Sequence, residues 1–143
     1  MNNAVTIVMV EDDEGHARLI EKNIRRAGVM NEIVHLSDGE GALAYFEEVR
    51  RHPPGSRPIL VLLDLNLPDI TGVEILENLK RDDSLKRVPV VVLTTTDDRS
   101  EVQRCYDLGC NVYMTKPVDY EQFATAIRQL GLFFTVIQIP EPA

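Results

Sequence analysis

Short apolar runs alternate with stretches of helical periodicity along most of the chain. The apolar runs are bounded by turn residues, which is typical of buried strands. They occupy residues 4–10, 32–36, 58–63, 89–93 and 111–114. Apolar residues recur at helical spacing in 13–28, 39–50, 72–81, 97–108 and 119–130. The pattern therefore predicts five strands, each followed by a helix.

Regular alternation of strands and helices is typical of a parallel sheet with right-handed crossovers and helices on both faces. We predict an α/β, flavodoxin-like (βα)5 doubly wound fold with five parallel strands in the order 2-1-3-4-5. Such sheets bind ligands beyond the carboxyl ends of their strands, where the strand order reverses. In this order that point lies between the first and third strands.

Acidic residues follow both of those strands. Glu11-Asp12-Asp13 comes directly after the first strand, and Asp64 comes directly after the third. Two carboxylates about 4 Å apart repel by roughly 4 kcal/mol at an effective dielectric constant near 20. Such a cluster must take up protons, open or hold a cation, and oxygen ligands at an accessible rim suit Mg²⁺. A solvated acidic rim is the alternative.

A hydroxyl and an ammonium group follow the remaining two strands. Thr94 comes directly after the fourth predicted strand, and Lys116 comes shortly after the fifth. With the acids, they would form a receptor for a phosphoryl group carried on a carboxylate.

At these residues the sequence resembles the receiver domain of two-component response regulators, from about residue 4 to 130. Asp64, Thr94 and Lys116 follow one another at the spacing of that family, and Pro68 and Gly72 fit its loop after the acceptor. The resemblance implies that a histidine kinase transfers a phosphoryl group from its phosphohistidine to Asp64.

The resemblance also implies a metal site and a switch. Mg²⁺ would be held by Asp12, Asp64 and the backbone carbonyl of Asn66, with Glu11 close by. Thr94 and Lys116 would contact the phosphoryl group. Tyr113 matches the aromatic switch position, and the bond between Lys116 and Pro117 would be cis. Asp13 falls outside the acidic pair, and we expect it to cap the first helix.

The receiver domain would occupy residues 1–130 and leave an apolar extension at 131–143. That extension is too short for an output domain, which predicts a single-domain regulator acting through protein contacts. The extension and the RHPPGSR loop at 51–57 resemble those of single-domain regulators paired with bacterial phytochromes. The kinase would then be a bacteriophytochrome, and the alternative is a generic receiver for another histidine kinase.

The extension is more apolar than a solvated tail should be. It contains Phe133 and Phe134, which we expect to be buried. We predict a homodimer formed by the fourth helix, the fifth strand, the fifth helix and this extension. Folding of the extension onto its own domain is the alternative.

Composition and charge restrict the possible partners of the protein and its cellular compartment. The formal net charge of −8 argues against nucleic acid and anionic membranes. No membrane span or signal peptide is recognisable, so we expect a cytoplasmic protein with reduced, packed thiols at Cys105 and Cys110. We assign His16, His35 and His52 to surface or core positions, because they have no common spacing.

Two other classes of function fit less well, and we therefore expect a phospho-accepting signalling protein that turns over no external substrate. A Mg²⁺-dependent phosphatase of the haloacid dehalogenase type also uses an aspartate nucleophile after a strand. It would have a second acid two positions after Asp64, where this chain has Asn66. A nucleotide-binding module would have a glycine-rich turn after the first strand, where only Gly15 occurs.

Overall fold

The computed structural model describes residues 5–95, 98–116, 121, 122 and 125. Its elements are β1 (Thr6–Val10), α1 (Glu14–Arg26), β2 (Ile33–Leu36), α2 (Gly39–Arg50), β3 (Ile59–Leu63), α3 (Gly72–Arg81), β4 (Val90–Thr94), α4 (Arg99–Leu108) and β5 (Val112–Thr115). Residues 121, 122 and 125 are helical and fall within the predicted fifth helix, whose other residues lie outside the described part.

The five strands form one parallel sheet in the order β2-β1-β3-β4-β5. This confirms the predicted doubly wound topology. The central strands β1 and β3 pair in register along their whole length, so that Val10 lies opposite Leu63. The residues that follow these two strands therefore start from the same edge of the sheet.

Two hydrophobic layers cover the sheet because successive strand residues point to opposite faces. On one face, Val61 and Leu63 pack with residues of α2, α3 and α4, including the fully buried Phe46. On the other face, Leu60 and Leu62 pack with residues of α1. All five residues of β3 are buried, as expected for a central strand of a two-faced parallel sheet.

Most element boundaries lie within two residues of the predicted ones, and the differences have local causes. β4 extends to Thr94, because the Lys116 N–H donates to the Thr94 carbonyl (2.7 Å) and continues the ladder with β5. α4 begins later than predicted, at Arg99, where the Asp98 carboxylate accepts a hydrogen bond from the Ser100 N–H (2.9 Å). The first predicted helical residue, Asp97, lies outside the described residues.

The predicted cap of the first helix is confirmed. The Asp13 carboxylate accepts a hydrogen bond from the His16 N–H (2.9 Å) and caps α1.

Cys105 and Cys110 are buried and carry free thiols. Across the residues that the structure describes, no helix has the length and apolar character that a membrane crossing needs.

Candidate functional site

Three carboxylates meet at the carboxyl edge of the sheet. Within the described residues, Glu11, Asp12 and Asp64 each place a carboxylate oxygen within 4.8 Å of the other two. Glu11 is 1% and Asp64 6% exposed, whereas Asp12 faces solvent. The Asp64 N–H donates to the Val10 carbonyl (3.0 Å), so the peptide N–H of Asp64 is held by the sheet itself.

The Lys116 ammonium lies between the two buried acids. Its Nζ donates to Asp64 Oδ2 (3.0 Å) and to the Glu11 carboxylate. The Lys116 side chain is buried, and its backbone N–H is bonded to Thr94 across β4 and β5. Lys116, which follows β5, therefore places a positive charge beside the acids that follow β1 and β3.

The pKa values of the two buried acids shift in opposite directions. Burial, together with the hydrogen bond and charge of Asp64, raises the pKa of Glu11 to about 7 against the opposing effect of Lys116. Burial also disfavours the charged form of Asp64, but hydrogen bonds from Glu11, the Asn66 N–H and Lys116 hold its pKa below the ordinary value. The geometry therefore favours an ionised Asp64 beside a Glu11 that readily holds a proton.

Asn66 connects Asp64 to β4. Its backbone N–H donates to Asp64 Oδ1 (3.0 Å). Its side-chain amide lies 3.3 Å from the hydroxyls of both Thr94 and Thr95. Thr94 is fully buried, which places its hydroxyl beneath the rim of the site. The predicted residues Glu11, Asp12, Asp64, Asn66, Thr94 and Lys116 are thus brought together at one edge of the sheet.

Two histidines that the sequence analysis assigned to surface or core positions also contact this cluster. His16 Nδ1 lies 3.2 Å from Lys116 Nζ, and His35 Nε2 lies 2.6 Å from the Glu11 carbonyl oxygen. Two sequence signals could have indicated them. His16 follows the capping Asp13 by three positions and so lies in the first turn of α1, and His35 lies near the end of the strand beside β1.

The predicted switch and dimer residues are only partly described. Tyr113 lies on β5, where its side chain packs against the hydrophobic layer of α2, α3 and α4. Its backbone N–H donates to the hydroxyl of Tyr106 on α4 (3.1 Å). Pro117, Phe133 and Phe134 lie outside the described residues.

The donor set fits a small divalent cation. Three carboxylates face one ammonium group, so ionisation of all three leaves an excess of negative charge at the edge of the sheet. Carboxylate oxygens are ligands that Mg²⁺ prefers, and the exposed Asp12 leaves one side open to water molecules, which Mg²⁺ usually retains.

Residues 7–128 match the profile of the response regulator receiver domain. The chain belongs to this family. Receiver-domain response regulators are signalling proteins, and the match covers the residues from β1 through the predicted fifth helix.

Similar proteins of known structure span nearly the whole chain. A receiver domain from Rhodospirillum rubrum is 64% identical, with a TM-score of 0.78 and coverage of 96% of this chain and 98% of that chain. Response regulator Rcp1 of Synechocystis sp. is 38% identical over 93% of this chain and 90% of its own length. Its Mn²⁺-bound form gives a TM-score of 0.74 at 34% identity, covering 97% of this chain and 99% of that chain.

A third relative is the phosphorylated cyanobacterial phytochrome response regulator RcpA. It is 36% identical with a TM-score of 0.74, and the match covers 96% of this chain and 99% of that chain. The chain is therefore a receiver domain related to phytochrome response regulators.

Proposed function

We propose that this protein accepts a phosphoryl group from the phosphohistidine of a histidine kinase onto Asp64, in a Mg²⁺-dependent reaction. The observation that carries the proposal is the setting of the Asp64 carboxylate. It is buried at the end of β3, bonded to an ammonium 3.0 Å away and grouped with two further carboxylates. A nucleophile, a fixed cation and oxygen ligands for a metal are the groups that phosphoryl transfer requires.

The proposed reaction uses Asp64 as the nucleophile. A carboxylate oxygen of Asp64 forms a bond to phosphorus while the bond from phosphorus to the histidine nitrogen breaks, and the imidazole leaves. The lowered pKa of Asp64 keeps the nucleophile ionised at neutral pH. Lys116 stabilises negative charge on the phosphoryl oxygens. Mg²⁺, held by Asp12, Asp64 and the backbone carbonyl of Asn66 with Glu11 beside it, would neutralise further charge in the transition state.

Phosphorylation would then shift Thr94. In the described state the Thr94 hydroxyl is buried and lies 3.3 Å from the Asn66 amide, a weak contact that a phosphoryl oxygen can replace. Movement of Thr94 would leave space for the Tyr113 ring to turn inward. The Tyr113 backbone N–H bonds to the Tyr106 hydroxyl and so connects β5 to α4. Turning of the Tyr113 ring would therefore change the packing between these two elements.

The kinase, in this proposal, is a bacteriophytochrome. The similarity to RcpA supports this, and the alternative is another histidine kinase. The test is phosphotransfer from a panel of autophosphorylated histidine kinases, including a bacteriophytochrome, in the presence of Mg²⁺. We expect the bacteriophytochrome to transfer fastest to the wild type and not at all to Asp64→Asn. Faster transfer from another kinase would favour the alternative, and no transfer from any kinase would contradict the proposal.

We further propose a signalling role without turnover of an external substrate. Asn66 stands where a phosphatase of the haloacid dehalogenase type has its second acid, and its side chain contacts Thr94 and Thr95 instead. Incubation with a chromogenic phosphate ester and Mg²⁺ should release almost no product. Sustained turnover would favour the phosphatase.

We also propose a cytoplasmic location. The free buried thiols of Cys105 and Cys110 support a reducing compartment.

For the domain organisation, we propose a receiver at 1–130 and a dimer-forming extension at 131–143. Burial of two Phe side chains per chain contributes roughly 6–12 kcal/mol across a symmetric pair. Association costs roughly 4–15 kcal/mol, so the face formed by the fourth helix, fifth strand and fifth helix must contribute as well. Sedimentation should show a dimer that Phe133→Ala with Phe134→Ala weakens. A wild type that stays monomeric at high micromolar concentration would leave only folding onto its own domain.

A further inference from the structure

Asp69 joins the loop that follows Asp64 to a different part of the fold. It lies in the β3–α3 loop (residues 64–71), but its carboxylate reaches the N-terminus of α2. Oδ1 accepts a hydrogen bond from the Gly39 N–H and Oδ2 accepts one from the Glu40 N–H, both at 2.8 Å. Oδ1 also accepts from the Ile70 N–H (2.9 Å). One side chain therefore fixes three backbone groups on two segments.

Helix α2 already has a cap of its own. The Asp38 carboxylate accepts a hydrogen bond from the Gly41 N–H (2.7 Å) within the first turn. Asp69 binds two other free N–H groups of the same turn, from across the fold. The fully buried Ala42 and Phe46 anchor α2 in the core. The helix is therefore the fixed partner, and the bonds to Asp69 hold the loop in place against it.

The loop also makes close contacts on both sides of Asp69. A Cβ placed on Gly39 would lie 2.1 Å from the Ile70 side chain, so the loop lies directly against the start of α2. A Cβ on Gly72 would lie 2.5 Å from the Asp64 carbonyl oxygen, and the Gly72 N–H donates to the Leu65 carbonyl (2.9 Å). Asp69 is the polar contact between these two points of close packing.

We infer that Asp69 is a positioning residue for the proposed reaction, because it holds the β3–α3 loop so that Asn66 stays beside Asp64. The inference rests on the proposed function, in which the backbone carbonyl of Asn66 binds Mg²⁺. Among the described residues, the hydrogen bonds of Asn66 are its N–H bond to Asp64 (3.0 Å) and two amide contacts of 3.3 Å. Without the attachment to α2, the loop would sample positions in which that carbonyl is turned away from the metal.

The test compares two carboxylates at the same helix end. Asp69→Ala removes the bonds between the loop and α2. Asp38→Ala is the matched control, since it removes a carboxylate from the first turn of α2 without a bond to the loop. Asp69→Asn keeps one acceptor oxygen and serves as the conservative variant. The rate of phosphorylation by acetyl phosphate is measured against Mg²⁺ concentration for each protein, together with unfolding by urea.

Asp69→Ala should raise the Mg²⁺ concentration for half-maximal rate by about tenfold, the lower end of the effect of losing an outer support of a metal ligand. Asp69→Asn should show a smaller rise, and Asp38→Ala should match the wild type in this respect. Both alanine variants should lower the urea midpoint, because both remove bonds from a helix N-terminus. Equal Mg²⁺ dependence in Asp69→Ala and Asp38→Ala would reduce Asp69 to a helix cap and overturn the inference.

Amide hydrogen exchange separates failure of this inference from failure of the proposed function. Peptides covering 65–71 should exchange faster in Asp69→Ala than in Asp38→Ala, without any phosphoryl donor present. A wild type that takes up no phosphoryl group would contradict the proposed function, and the exchange result would still measure the positioning of the loop. Unchanged exchange in Asp69→Ala would overturn the inference by itself.

Discussion

Two groups of charged side chains at opposite edges of the sheet use similar residues in different ways. At the carboxyl edge, Glu11 and Asp64 are buried and share the Lys116 ammonium. At the amino edge, Arg50 from the end of α2 binds Asp82 at the end of α3. The Arg50–Asp82 pair is partly exposed, and Asp82 also accepts a hydrogen bond from the Ser84 N–H (2.7 Å).

The pKa of Glu11 at the carboxyl edge and the pKa of Asp82 at the amino edge shift in opposite directions. The pKa of Glu11 rises to about 7, because the side chain is buried and Asp64 lies beside it. Burial acts in the same direction on Asp82, but the Ser84 N–H and the Arg50 charge outweigh it and hold its pKa below the ordinary value. At the amino edge Asp82 has the Arg50 cation to itself, whereas at the carboxyl edge Glu11 and Asp64 share the single ammonium of Lys116. An excess of buried carboxylates over cations costs folding free energy, which is typical of a site that becomes complete only with a ligand.

The largest expected effect concerns the metal. Asp12→Asn should weaken Mg²⁺ binding at least about a hundredfold, the upper end of the effect of losing an outer support, because a direct carboxylate ligand is lost. Asp13→Asn should change it little, since the Asp13 carboxylate is engaged in capping α1. Titration calorimetry measures both. Equal losses in the two variants would show that the acidic pair is assigned to the wrong residues.

The next effect concerns pH and stability without metal. Glu11 has an ordinary pKa of 4.5 and a pKa of about 7 in the folded protein, so the folded state binds more protons between these values. The free energy of unfolding should therefore fall as pH rises from 5 to 8, by up to about 3 kcal/mol. Asp64, whose pKa is lowered, contributes the same stabilisation throughout this pH range, because that stabilisation is lost only as the pH falls below the ordinary pKa of the side chain.

Urea unfolding at several pH values in EDTA measures this slope. Saturating Mg²⁺ should restore stability at pH 8, by about 2.7 kcal/mol at a hundred times its dissociation constant. A profile that is flat or rises between pH 5 and 8 would contradict the description of the carboxyl edge as short of positive charge.

Neutralising one acid at each edge should have effects of opposite sign. At pH 8 without Mg²⁺, Glu11→Gln should raise the free energy of unfolding by about 1–2 kcal/mol, because it removes one of two buried carboxylates that share a single ammonium and leaves Lys116 paired with Asp64. Asp82→Asn should lower it by about 1 kcal/mol, since it removes the partner of Arg50. Urea unfolding of both variants measures the two changes. Destabilisation by both substitutions would contradict the predicted difference in sign.

The smallest effect should come from two asparagines. Asn66→Ala and Asn78→Ala each remove one side-chain amide, which contacts Thr94 at the carboxyl edge and Arg50 at the amino edge, respectively. Each should lower stability by less than about 1 kcal/mol. The lifetime of the phosphoryl group should change only in Asn66→Ala, as measured by the decay of phosphorylated protein after removal of the donor. A change of the same size in Asn78→Ala would contradict this local assignment.

Periodicity was sufficient to predict the sheet and the meeting of the site residues. The ends of parallel strands share one edge, so Asp64, Thr94 and Lys116 could be placed together without knowledge of any side-chain conformation. No comparable rule predicts which side chains of a loop contact a helix. The bonds of Asp69 to α2 and of His16 to Lys116 depend on how helices pack on the sheet and how the loop turns, which the period of apolar residues does not specify.

The most direct test of the central claim is to locate the phosphoryl group. The wild type, Asp64→Asn and Asp82→Asn are treated with acetyl phosphate and Mg²⁺, and intact mass and peptide masses are measured. The account predicts one phosphoryl group in the wild type and in Asp82→Asn, carried by the peptide that contains Asp64, and none in Asp64→Asn. A phosphoryl group that persists in Asp64→Asn, or that maps to another residue of the wild type, would contradict it.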